Sequence, residues 1–268
     1  MDPETGKPFG NSFPRIAITD IVNSQVRLLD HLGIKQLRAV VGSSLGGLMA
    51  LSLATQYPER VKTIVALASG IKTSLLQRIH NLEQIAAIEA DGNFRGGNYY
   101  DKARPERGLA LARMIGHKAF ISLATLERRA SKIVKNGDAK NATWYQLQTP
   151  VESYMIHQGH KFVRRFDANT YLRIMDAWQS FNLLEETGFS DYSSMFNRCK
   201  NQRYLIFTIN SDVCFYPDQQ EELTAAIAQG GINPIHITVH SEKGHDSFLL
   251  EPELYAPHIH FSLDGRED

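Results

Sequence analysis

Apolar positions recur along the chain with two different spacings, and the spacing divides it into elements. Ile21, Val22, Val26, Leu28, Leu29 and Leu32 form one face of a helix over residues 21–32, with Asp20 as N-cap and Gly33 as stop. Residues 37–41 are a short unbroken apolar run ending in glycine, the pattern of a strand buried on both faces. Residues 46–56 return to helical character and stop before Pro58, and 61–68 are a second, β-branched run. These segments predict a strand, a helix and a second strand in succession.

From about residue 71 to 197 the short apolar runs give way to long helical patterns at 75–90, 108–115 and 171–184, which read as a helical insertion. Strand character returns at 203–209. A helix at 218–228 stops at Gly230 and Gly231, 236–239 form another strand, and 251–260 close the chain as a helix. Strands alternating with helices predict an α/β class with a parallel sheet: residues 1–70 and 198–268 make the core and 71–197 the insertion. No internal repeat or low-complexity tract interrupts this plan.

Composition narrows the function classes. Lys plus Arg and Asp plus Glu both number 29, so no net field recruits nucleic acid or an anionic membrane, and a small molecule or another protein is the expected partner. Hydrophobic residues at 43% with 13 Phe and 10 Tyr suit a folded core. Cys199 and Cys214 are the only cysteines, too few for a disulfide framework and without metal-binding spacing. Together with a polar start at residues 1–16, they point to a cytoplasmic protein with neither metal nor resident cofactor.

The candidate chemistry begins at Gly42-Ser43-Ser44-Leu45-Gly46, which matches G-x-S-x-G. The pentapeptide arises by chance in roughly one chain of this length in ten. Its setting between an apolar strand and a helix is what a nucleophile elbow requires, because the serine must stand on a tight turn with its hydroxyl exposed. A phosphate loop fails, since Leu48 and Met49 stand where Lys and Ser or Thr belong. In such folds the order is Ser, then acid, then His, each after a strand; Asp212 follows strand 203–209 and His245 follows strand 236–239. Ser44 is then the nucleophile, His245 the base, Asp212 the orienting acid, and the backbone N–H of Leu45 an oxyanion donor.

Longer motifs carry a resemblance. Gly42-Ser43-Ser44-Leu45-Gly46-Gly47 with Tyr57-Pro58-Glu59-Arg60-Val61 resembles the elbow segment of the homoserine O-acetyltransferase family. Gly96-Gly97-Asn98-Tyr99-Tyr100, the run from Arg107 to His117 and Val151-Glu152-Ser153-Tyr154 resemble its lid segments. The run from Lys161 to Tyr171 and Gly244-His245-Asp246-Ser247-Phe248-Leu249 are similar to the family closely.

The resemblance covers nearly the whole chain. It implies an α/β-hydrolase fold with a helical lid and a two-step transfer of an acetyl group from acetyl-CoA, as co-substrate, through acyl-Ser44 to the hydroxyl of L-homoserine, in methionine biosynthesis. It implies that Arg165 clamps the substrate carboxylate, Asp246 receives its ammonium, Tyr171 lines the pocket, and lid helices pair two copies into a homodimer. Two departures accompany it. Family members begin with further strands that carry a second oxyanion donor, which leaves a sheet of about four strands here with a former interior strand at the edge, and an expectation of poor solubility or weak turnover for residues 1–268. Leu48-Met49 replaces the usual Met-Gln of the elbow, which leaves acetyl against succinyl donor open; homoserine against serine as acceptor is open as well. An esterase of the same fold, and an impaired fragment acting as a binding module, are the alternative readings.

Overall fold

The computed structural model describes residues 1–130 and 147–264; the segment 131–146 of the expected insertion lies outside them. The described residues form two compact units, Ile16–Ser74 with Ala177–Asp268, and Met1–Arg15 with Leu75–Asp176.

The first unit is built on a sheet of four parallel strands, β1 (Leu37–Ser43), β2 (Val61–Leu67), β3 (Arg203–Ile209) and β4 (Ile235–Val239), ordered β1-β2-β3-β4. Their carboxyl ends are in register, with Ser43 opposite Leu67, Leu67 opposite Phe207 and Ile209 opposite Val239. β2 and β3 have neighbours on both sides and are almost wholly buried, as uninterrupted apolar runs should be. One sheet face packs Val65, Leu67, Leu205, Phe207, Ile209 and Val239 against Tyr255. The helix Leu45–Gln56 is apolar nearly all round because it is buried nearly all round, with Leu48 and Leu51 fully covered.

Strand β1 is not buried on both sides as its apolar run at 37–41 predicts, but is the edge of a four-stranded sheet, as expected from the missing family strands; among the described residues it pairs with β2 alone, and Val41 is 52% exposed. The helix expected at 21–32 starts earlier, at Ile18, and ends at His31. Asp20 is not its N-cap but lies in the first turn, where its carboxylate accepts the N–H of Ala17 at 2.8 Å.

The helix expected at 171–184 is broken. One helix ends at Gln179 and a five-residue helix, Leu183–Thr187, follows, because the Phe181 carbonyl accepts the N–H of Thr73 (3.1 Å) and Leu183 N–H donates to Ile71 (3.0 Å). The expected helix 251–260 is instead a 3-10 turn, Pro252–Leu254, followed by the helix Ala256–Asp264, with Pro252 opening the turn and Pro257 in the first turn of the helix.

The second unit is helical, with Leu75–Glu89, Glu106–Phe120, Leu123–Ala130 and Pro150–Val163 as its main helices. Its core gathers Ile88, Tyr99, Leu109, Ala112, Phe162, Val163 and Ala168. The division of the chain differs from the expected boundaries at 71 and 197. Residues 1–15 belong with the helices, because Arg15 grips Asp176 with two hydrogen bonds (2.8 and 2.7 Å) and Arg173 donates to the carbonyls of Asn11 and Phe13. Residues 177–197 belong with the sheet, because Glu186 accepts from Ser52 of the elbow helix at 2.8 Å.

Candidate active site

Parallel strands with level ends place every loop that follows a strand on one edge of the sheet, where open α/β sheets bind ligands. The backbone continues the ladder past the strands: Ser44 N–H donates to Leu67 (2.9 Å), Ala68 N–H to Phe207 (3.0 Å) and Asn210 N–H to Val239 (3.1 Å). Ser44, Asp212 and His245 all leave the sheet at this edge, from β1, β3 and β4.

Ser44 has φ 55° and ψ −125°, a conformation side chains avoid and one that costs about 1–3 kcal/mol. The surroundings over-determine it. Its N–H is held by Leu67, and its carbonyl accepts from Gly47 N–H (2.9 Å) and Ser69 Oγ (3.1 Å). A Cβ on Gly42 would lie 2.0 Å from the carbonyl oxygen of Gly46, and one on Gly47 would lie 2.5 Å from the Cβ of Ser69, so the turn closes only with glycine at both places. Leu45 opens the following helix, and its N–H is among those without an acceptor within the helix, at the positive end of the helix dipole.

Asp212 and His245 are in contact, Nδ1 to Oδ2 at 2.7 Å, and both side chains are almost fully buried. The other carboxylate oxygen of Asp212 accepts the N–H groups of Cys214 (2.7 Å) and Phe215 (3.0 Å). The two loops are also tied by backbone N–H groups of one to side chains of the other, Ser241 N–H to Asn210 Oδ1 (2.9 Å) and Gly244 N–H to Ser211 Oγ (3.1 Å). Behind His245, Glu251 accepts from Ser241 (2.5 Å) and Ser247 (3.0 Å), and Tyr255 donates to Ser247 (2.8 Å). Burial beside Asp212 and Asp246 pushes the Cys214 thiol well above its usual range, which leaves it an inert neighbour.

The three residues implied for substrate binding occupy different places. Asp246 follows His245 in the same 3-10 turn, half-buried. Arg165 is exposed, past the end of helix Pro150–Val163, with its guanidinium 5.8 Å from the Phe162 ring. Tyr171 stands edge-on to Phe162 and Phe166 and donates its hydroxyl to Gln84. Arg165 and Tyr171 belong to the helical unit, and Asp246 to the sheet unit. No cluster of metal-binding side chains occurs among the described residues, and none of their helices is long and apolar enough to cross a membrane.

Sequence reasoning missed the aromatic surroundings of His245. Phe215 stacks on the imidazole (5.6 Å between centroids, 18°) and Phe248 meets it edge-on (5.3 Å, 86°). The signal is in the spacing: each phenylalanine lies three residues after a member of the Asp212–His245 pair.

Residues 4–252 match the family model for the α/β hydrolase fold. A homoserine O-acetyltransferase from Solidesulfovibrio magneticus is 38% identical over 93% of this chain and 63% of its own length. Another from Zymomonas mobilis is 37% identical over 98% of this chain and 69% of its own. The crystal structure of the Bacillus anthracis enzyme of that name superposes with a TM-score of 0.88 at 19% identity, covering 99% of this chain and 70% of the other. The chain thus spans about half to two thirds of the length of several curated relatives it matches. An elbow held by glycines, a buried Asp–His pair on the same edge and this identity along almost the whole sequence make the chain a member of the homoserine O-acetyltransferase family of the α/β-hydrolase fold.

Proposed function

We propose that this chain carries the acyl-transfer centre of a homoserine O-acetyltransferase in methionine biosynthesis, with Ser44 as nucleophile, His245 as base and Asp212 as orienting acid. The observation that carries the reading is the buried Nδ1–Oδ2 contact of 2.7 Å at the edge that also presents the strained Ser44. With Nδ1–H held by the carboxylate, the lone pair of His245 is confined to Nε2, the tautomer a general base needs.

In the first half-reaction Ser44 Oγ attacks the thioester carbonyl of acetyl-CoA as His245 takes its proton. The oxyanion develops towards the N–H of Leu45. Collapse breaks the C–S bond, and His245 returns the proton to the leaving thiolate. In the second, His245 takes the proton of the homoserine hydroxyl, whose oxygen attacks the acyl carbon; collapse breaks the acyl–Oγ bond and His245 returns the proton to Ser44 Oγ. Arg165, Tyr171 and Asp246 would hold the amino-acid acceptor, the guanidinium on its carboxylate and the aspartate on its ammonium. Two copies of the chain paired through lid helices in the cytoplasm complete the reading.

Intact-mass spectrometry after incubation with acetyl-CoA tests it. One acetyl group should appear on the wild-type chain and none on Ser44→Ala, and homoserine should discharge it far faster than buffer. The same adduct on Ser44→Ala would remove Ser44 from the chemistry. Discharge at one rate with and without homoserine would make the protein an esterase.

A further inference from the structure

We propose that Phe215 and Phe248 are positioning residues that fix the plane and the in-plane rotation of the His245 imidazole, so that Nε2 keeps one direction through both half-reactions. The proposal rests on the reading of His245 as the base, and adds what aims it.

The hydrogen bond from Nδ1 to Asp212 fixes one ring atom, while rotation about the side-chain bonds can still tilt the ring. Two aromatic contacts oppose that tilt. Phe215 lies nearly parallel to the imidazole and sets its plane, and Phe248 abuts it at 86° and limits its turn within that plane. Both are offset or edge-to-face arrangements of the kind aromatic pairs prefer.

Phe215 is itself fixed. It is fully buried, its N–H donates to the Asp212 oxygen that does not hold His245, and Trp178 stacks on it at 5.5 Å and 10°. Trp178 is also buried, and its Nε1–H meets no acceptor among the described residues; what the indole supplies here is its face. One turn therefore delivers both the carboxylate and the ring that the histidine needs, and a stack of Trp178, Phe215 and His245 runs into the site. The distance from ring to base is short, and a misplacement of about 1 Å in such groups can cost on the order of 100-fold in rate.

Phe215→Leu and Phe248→Leu keep apolar volume and remove the flat contact, and they test the idea together. Each should lower kcat about 10- to 100-fold, in acyl-enzyme formation and in its discharge alike, while KM for homoserine stays within about two-fold. The Nδ1–H proton of His245, expected to give a sharp, far-downfield NMR signal in the wild type, should broaden in both variants, a readout that needs no turnover. If the wild-type chain transfers no acyl group but the signal still broadens, the functional reading fails and the clamp stands. Should Phe215→Leu not fold, Phe248→Leu, at the half-buried position, decides alone. A folded variant that keeps both wild-type kcat and a sharp Nδ1–H signal overturns the proposal.

Discussion

Ser69 donates its hydroxyl to the carbonyl of Ser44 at 3.1 Å, and the Cβ that carries this hydroxyl lies 2.5 Å from where a Cβ on Gly47 would stand. The second residue after β2 thus braces the elbow after β1 from a distance that tolerates no side chain between them. Gly47→Ala is expected to destabilise the protein by about 1–3 kcal/mol, through overpacking, and to slow acyl-enzyme formation by shifting Ser44. Ser69→Gly removes the clashing Cβ, so the double variant should cost less than the sum of the singles. Urea midpoints of the four proteins measure it, and simple additivity would show that Gly47 and Ser69 do not press on one another.

Asp212→Asn separates orientation from packing. Oδ1 of Asp212 accepts two backbone N–H groups and can be replaced only by an oxygen, so the amide of an asparagine must turn its NH2 towards His245. Nδ1 then becomes an acceptor, the proton moves to Nε2, and the base is lost in a nearly unchanged fold. A fall of about 10³–10⁴-fold in kcat, with a circular dichroism spectrum and KM close to wild type, is the expected result. Loss of less than ten-fold would mean that the carboxylate does not set the tautomer.

How much of this was legible without coordinates follows from where each signal resides. β3 was read at its true limits, 203–209, because a strand between two neighbours is a continuous apolar run with a sharp composition change at each end. The places of Ser44, Asp212 and His245 beyond the ends of β1, β3 and β4 are legible because loop order after parallel strands is itself a spatial statement. The break of the helix at Ser180 to Asn182 was not, because it is made by Ile71 and Thr73, more than a hundred residues earlier. Phe215 and Phe248 escaped for a related reason. Each is an ordinary apolar residue in its own segment, and only the closure of Asp212 on His245 turns the two rings towards the same imidazole.

Glu186 ties Leu183–Thr187 to the elbow helix through Ser52, in a network with Gln56 and Thr19. Burial, with Asp20 adding to it, raises its pKa above the ordinary 4.5 against the opposing hydrogen bonds from Ser52 and Thr19. A carboxyl whose folded pKa is raised contributes stability that is full below its unfolded value and lost as pH rises through the folded one. Glu186→Gln, which keeps an oxygen for Ser52, should therefore match wild type near pH 4.5 and exceed it in stability at pH 7. Thermal unfolding across that range measures the gap, and a variant less stable than wild type at pH 7 would contradict it.

His117 gives the helical unit the opposite dependence. It is 4% exposed, its Nε2 lies 3.2 Å from the hydroxyl of Tyr154, and its Nδ1 is buried with no partner among the described residues. Burial first, then the charges of Arg113 and Arg129, lower its pKa from 6.5 to about 4, so the folded protein holds the ring neutral where the unfolded chain would protonate it. The stability associated with that neutral ring is present above pH 6.5 and is lost as pH falls towards about 4. His117→Gln places a non-titrating amide where Nε2 stands and leaves Tyr154 a partner. The wild-type urea midpoint should fall relative to that of His117→Gln as pH is lowered from 6.5 to 4, with the two curves parallel above pH 7. Equal slopes through the whole range would show that His117 takes up its proton as readily in the fold as in the unfolded chain, and that Nδ1 is solvated there rather than shut away.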